Sequence, residues 1–306
     1  MKVSISPLLF SLFFLVILFA TACHTTSQQT TETALYKEGA KPELISRTFN
    51  FTEGPAADEK GNIYFTDQPN NSIWIYDTNG QLSLFTDSAG RANGLYFDAD
   101  GNLLACADEK NQLWRFDKEG KVTILFNDYN GKKLNGPNDV WVHPSGAIYF
   151  TDPYYQRPYW SRKAPELEER NVYRLSKGSS DVVPVVKGLQ QPNGIIGTPD
   201  GKWIYVADIG AGKTFKYEVQ QDGNLDNGEL FVAQGSDGMT LDEKGNVYLT
   251  GNGVTVYNPQ GQQIAHIPVP EKWTANVTFG GKNRNLLFIT ASEAIYILEM
   301  NVRGAK

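Results

Sequence analysis

One spacing constrains this chain more than any other: a polar side chain, an apolar strand, then a turn glycine eight residues on. Glu53 stands so to Gly61, Asn93 to Gly101, Asn138 to Gly146, Asn193 to Gly201 and Asp237 to Gly245. At a sixth place Asn276 precedes Arg284 by the same offset, inside the turn Gly280-Gly281-Lys282-Asn283-Arg284-Asn285. The six copies begin 39 to 55 residues apart and run almost from end to end. Self-similarity at such a period signals a repeat architecture, in which each unit buries its apolar face against its neighbours.

Each repeat reads as four short strands. The first gives residues 55–57, 63–65, 73–76 and 82–85, and the second gives 95–97, 103–105, 113–116 and 122–126. Turns such as Asp58-Glu59-Lys60-Gly61-Asn62 and Asp77-Thr78-Asn79-Gly80 carry the Gly and Asn that tight β-turns need. No stretch keeps a helical period. Six such units predict an all-β chain: a six-bladed β-propeller of four-stranded antiparallel blades over residues 43–306. The sixth repeat offers only three strands, so residues 43–49 are expected to supply its fourth and remove the exposed edge.

The N-terminus is set apart from the fold. Lys2 and the apolar run from Leu8 to Ala20 read as a secretory signal peptide over residues 1–22. Ala20-Thr21-Ala22-Cys23 resembles a bacterial lipobox, with Cys23 lipidated after cleavage; an ordinary signal peptide with Cys at the cut is the alternative. The apolar run is shorter than the ~20 residues a spanning helix needs. Residues 23–42, Thr- and Gln-rich at their start, read as a flexible tether. The chain is thus expected to be exported and held on the periplasmic side of a bacterial membrane by its lipid, as a monomer. Cys106, the other cysteine, lies in an apolar strand and reads as a small buried hydrophobe, so no disulfide framework is available.

Charge excludes one class of partner. With 28 basic and 34 acidic residues the chain carries −6 and has no basic stripe, which argues against nucleic acid. Three His residues, none at an offset position, and no Gly-x-Ser-x-Gly elbow argue against a serine hydrolase.

Propeller geometry brings the six offset residues, each at the start of an innermost strand, to one mouth of the central channel. They supply two carboxylates (Glu53, Asp237) and four amides (Asn93, Asn138, Asn193, Asn276). Hard oxygen donors at that density suit Ca²⁺, with Mg²⁺, Mn²⁺ or Zn²⁺ as alternatives and a structural zinc site disfavoured. Asn-Gly and Asp-Gly pairs also form turns, so any single Asn could merely cap a strand. Glu53 does not fit that account. The Asp residues ending second strands, Asp67, Asp108, Asp152 and Asp208, are expected to hydrogen-bond the following turn.

Glu53-Gly54-Pro55, residues 134–153, Gln191-Pro192-Asn193-Gly194-Ile195 and Ser236-Asp237-Gly238-Met239 resemble the motifs of the regucalcin/gluconolactonase family. The resemblance covers the chain from about residue 43. It implies one divalent metal, usually Ca²⁺, and hydrolysis of sugar lactones. It maps metal ligands onto Glu53, Asn193 and Asp237, with Asn138 at the metal or the substrate. It gives Asp237 the general-base role, and sets Asn93 and Asn276 in the pocket lining. The long third repeat carries an aromatic and basic insertion at residues 153–162. It could overhang the mouth, stacking a sugar on Tyr155 or Trp160 and pairing Arg157 with an acidic product, or pack on a neighbouring blade. Hydrolysis of other esters or phosphotriesters and a non-catalytic, metal-stapled binding propeller remain the alternative functions.

Overall fold

Six four-stranded antiparallel sheets follow one another along the chain, and the first five pair their strands in sequence order. The structure, a computed structural model, describes residues 1–3 and 34–305. Most of the expected signal peptide, Cys23 and residues 24–33 lie outside the described residues. The innermost strands are Thr52–Ala57, Ala92–Phe97, Val140–Val142, Pro192–Gly197, Met239–Leu241 and Asn276–Gly280. The sixth sheet borrows its outermost strand, Glu43–Ser46, from the start of the fold, where it pairs antiparallel with Ala294–Glu299. The ring closes as the three-strand count of the last repeat requires.

The eight-residue offset has a backbone cause. Gly61, Gly101, Gly146, Gly201 and Gly245 all hold φ between 72° and 91°, the left-handed conformation in which a side chain is strained. Arg284 takes the same place in the last repeat with φ 57°, so the turn survives there without its glycine.

The core lies between blades. Its largest fully buried side chains include Phe65, Phe150, Tyr173, Tyr248 and Phe288, drawn from second and third strands. Phe65 and Phe288 meet across the first and sixth blades at 5.4 Å between ring centroids, and Tyr248 meets Phe279 edge-on at 5.2 Å. Each such burial contributes on the order of 1.5–3 kcal/mol.

Residues 34–36 dock on the sixth blade, and the C-terminal end docks on the sixth and the fifth. Tyr36 pairs with Met300, and Asn301 N donates to Leu35 O at 2.7 Å, so residues 34–36, within the expected tether, are docked. At the other end Gly304 N donates to Arg284 O and Ala305 N to Leu241 O.

Candidate metal centre and active site

The six offset residues form a continuous circuit of contacts around one channel mouth. All six are buried, between 3 and 8 % exposed. Gly54 lies so near the second blade that an added Cβ would stand 2.1 Å from Asn93 O. Gly94 N donates to Asn138 O at 2.7 Å, and Thr151 Oγ1 of the third blade donates to Asn193 O at 2.7 Å. A Cβ on Gly194 would meet Asp237 O at 2.4 Å, and one on Gly238 would overlap the Asn276 amide. Asn276 Nδ2 donates to Glu53 Oε2 at 3.2 Å and completes the ring.

The local backbone explains why these side chains turn inward. In the first, second and fourth blades the innermost strand slips register between Glu53 and Ala56, Ala92 and Leu95, and Pro192 and Ile195. Bulges of this kind re-aim a side chain and end regular pairing. The strands therefore begin earlier than their apolar parts, taking in Glu53, Asn93 and Asn193.

The two carboxylates face each other across this mouth. Burial first, then the charge of Asp237, holds the Glu53 carboxyl well above the usual carboxylate range. Burial pushes Asp237 up to about 6, opposed by hydrogen bonds from Trp273 and Asn193 and by its contact with Glu53. Trp273 Nε1 donates to Asp237 Oδ2 at 2.6 Å, and Gly54 N donates to Glu53 Oε2 at 2.6 Å. Asn193 Nδ2 donates to Tyr155 OH at 3.0 Å, leaving its amide oxygen for another partner. Asn93 Oδ1 is buried without any hydrogen-bond donor. Two adjacent buried carboxylates beside the Asn193 amide oxygen are an arrangement a divalent cation satisfies, through charge balance and oxygen ligation, and the orphaned Asn93 oxygen leaves a further acceptor in the mouth. Among the described residues no three His, Cys, Asp or Glu side chains are placed to hold one metal ion, so this donor set depends on its amides. Asn276 differs from the rest: its Oδ1 accepts from Val277 N at 2.8 Å, and its N–H faces Glu53. That orientation orders Glu53 and offers no ligand oxygen.

Two site residues escaped the spacing argument. Asp139 follows Asn138 at the place that Gly54, Gly94, Gly194 and Gly238 occupy in other repeats, so a break in the pattern marked it. It is buried, accepts from Val140 N at 3.0 Å and Ile195 N at 3.2 Å, and burial pushes its carboxyl up to about 7. Trp273, three residues before Asn276, had no signal in the repeat at all.

The insertion divides between packing and site. Tyr159 OH and Arg157 Nε both bond Asp108, the latter at 2.9 Å, and Trp160 is buried with its Nε1 donating to Glu109 O at 3.2 Å. Trp160 is thereby removed as a stacking surface, and Tyr155 is the ring that reaches the site. Arg157 lies over the Tyr155 ring, 5.3 Å from its centroid, and its charge favours ionised Asp237. The second-strand Asp residues mostly bond backward and not to the following turn. Asp67 accepts from Asn50 N and Phe51 N, Asp152 from Asn135 N and Gly136 N, and Asp208 from Gln190 N and Gln191 N. Each therefore clamps the segment that leads into its own blade, and Asp67 and Asp208 add one bond onward, to Asn70 and Ala211.

Residues 51–293 match the profile described as the SMP-30/Gluconolactonase/LRE-like region. This chain belongs to that family. It is 27 % identical over 285 residues to a gluconolactonase of Zymomonas mobilis, covering 83 % of this chain and 79 % of that one. A gluconolactonase of Xanthomonas campestris superposes with a TM-score of 0.80 at 29 % identity, over 87 % of this chain and 91 % of the other. A calcium-binding regucalcin of Agrobacterium tumefaciens shares the fold, with a TM-score of 0.73 at 22 % identity over 87 % and 95 % of the two chains.

Proposed function

We propose that this protein is a carboxylic ester hydrolase that opens sugar lactones at the mouth bounded by Glu53, Asn93, Asn138, Asn193, Asp237 and Asn276, with a divalent cation, Ca²⁺ foremost. The observation that carries this reading is the buried pair Glu53 and Asp237, set in a ring of amides within a family whose named relatives include gluconolactonases. Glu53, Asn193 and Asp237 would hold the metal, with Asn138 beside them. The bound cation supplies charge balance for the pair and Lewis-acid polarisation of the lactone carbonyl.

The chain's own groups do the rest. Asp237, fixed by Trp273 and Asn193, takes a proton from the attacking water. Water adds its hydroxyl to the acyl carbon, the ring acyl C–O bond breaks, and the released alkoxide takes the proton back from Asp237 to become a hydroxyl of the aldonic acid. Asn138 positions the acyl group, and the buried Asn93 Oδ1 can accept from a substrate hydroxyl. Tyr155, backed by Arg157, borders the ring of the sugar.

Turnover of gluconolactone, an aromatic lactone and an organophosphate, each with and without chelator, tests the proposal. Chelator-sensitive turnover of the sugar lactone is expected. Preference for the organophosphate would point to phosphotriester hydrolysis, and a folded, metal-loaded protein without turnover would point to a binding propeller. Asn138→Ala should keep metal yet lose about 2–4 kcal/mol of barrier lowering, the range for one positioning or oxyanion group. Asp237→Ala should lose activity and metal together, and wild-type turnover that survives metal removal would sink the mechanism.

A further inference from the structure

Trp273 is held more firmly than an exposed loop residue needs to be. It sits between the outermost strand of the fifth blade, Gln263–Ile267, and the innermost strand of the sixth, Asn276–Gly280. Its N–H donates to Ser292 Oγ at 3.3 Å, and Ser292 Oγ donates back to its carbonyl at 3.2 Å. The next two residues are pinned as well, Thr274 N to Gly251 O at 2.8 Å and Ala275 N to Thr290 O at 2.9 Å. Two positions upstream, Glu271 pairs with Arg47 and accepts from Tyr296 OH at 2.7 Å. The indole ring lies over Gly251, where an added Cβ would come within 3.7 Å of its Cη2.

On this fixed backbone the side chain is split in use. Its Nε1 edge is bound to Asp237 Oδ2 at 2.6 Å, inside the buried mouth, while the residue as a whole stays 38 % exposed. Large aromatic rings exposed to that degree bury apolar area on gaining a partner. Tyr155 reaches the neighbouring Asn193 from the insertion on another side of the mouth, so two rings flank adjacent site residues.

We infer that Trp273 sets substrate choice at this mouth: its indole edge positions Asp237 and its exposed face is the platform for the C–H face of a pyranose-ring lactone. This rests on the lactonase reading and narrows it to six-membered sugar lactones over unsubstituted aliphatic ones. A hexose ring with its hydroxyls near the ring plane presents a flat C–H surface to an indole. An unsubstituted lactone lacks the hydroxyls that would hold it against that surface.

The test uses the metal-loaded protein with Trp273→Phe and Trp273→Ala, assayed on glucono-δ-lactone and on δ-valerolactone, with metal content and circular dichroism as controls. Trp273→Phe keeps a ring and loses the N–H, so kcat should fall while KM for gluconolactone stays within about threefold. Trp273→Ala loses both, and KM for gluconolactone should rise roughly three- to tenfold, the worth of one aromatic contact. KM for δ-valerolactone should change little in either variant. A second readout needs no turnover: gluconate should alter wild-type tryptophan emission, and the response should vanish in Trp273→Phe. Equal KM values for wild type and Trp273→Ala, with the emission response intact in Trp273→Phe, would overturn the platform. A wild type with no lactone turnover but a Trp273-dependent response would sink the lactonase reading and leave the platform standing.

Discussion

At the scale of single residues, the mouth is kept to size by missing methyl groups. Gly54, Gly94, Gly194 and Gly238 each follow an offset residue, and at each a Cβ would lie within 2.4 Å of an atom of the next blade. Gly194 is the cleanest case, because its φ is not in the left-handed region and the atom it would strike is the backbone carbonyl of Asp237. Gly194→Ala should therefore destabilise the fold by about 1–3 kcal/mol, as overpacking does, and should weaken metal binding by displacing Asp237. Thermal melts and metal titration of the variant check this; an unchanged melt with unchanged affinity would refute the close-packed ring. The offset residues were legible in the sequence because backbone geometry repeats them. Asp139 was legible only as a departure from the glycine pattern, and Trp273 was not legible at all. Its role comes from a three-dimensional contact with Asp237, and no local periodicity encodes that contact.

At the scale of elements, strand centres were readable and strand starts were not. Apolar and aromatic runs mark the middles, but Asn, Glu and Gly have low strand propensity, so runs such as 55–57 and 95–97 stop short of the bulged residues that open Thr52–Ala57 and Ala92–Phe97. The closing strand was legible by subtraction, since three strands in the last repeat leave one edge unpaired. Its pairing, Glu43 with Ile297 and Leu44 with Tyr296, carries a prediction. A chain beginning at residue 48 should melt well below one beginning at residue 34 and should self-associate through the freed edge of Ala294–Glu299. Size-exclusion chromatography and melting curves decide it, and equal melting of the two monomers would show that the closing strand is dispensable. The insertion was half legible. Its aromatic and basic composition marked it as functional, but only contacts with Asp108 and the Glu109 carbonyl explain why Arg157, Tyr159 and Trp160 pack down while Tyr155 reaches Asn193.

At the scale of the whole molecule, one mouth gathers a side chain from every blade, so a cation held by Glu53, Asn193 and Asp237 would tie the first, fourth and fifth blades together as well as serve chemistry. Export and anchoring are proposals resting on the lipobox-like Ala20-Thr21-Ala22-Cys23. Cys23→Ser should move the protein from the membrane fraction to the soluble one, and persistence with membranes in high salt would refute a lipid at Cys23. The docked residues 34–36 belong to one particular rim of the ring. Innermost strands run away from the Glu53 mouth, second strands return to it, and third strands run away again, so Met300 and Asn301 lie at the far rim beside the Arg284 turn. Leu35 is bonded there, and so are Gly304 and Ala305. Ala34, whose carbonyl accepts from Asn301 Nδ2 at 2.8 Å, therefore lies on the rim opposite Glu53 and Asp237. A shortened chain beginning at Ala34 and fixed to a sensor surface by that residue would be held by its back, with the Glu53 side turned toward passing solutes.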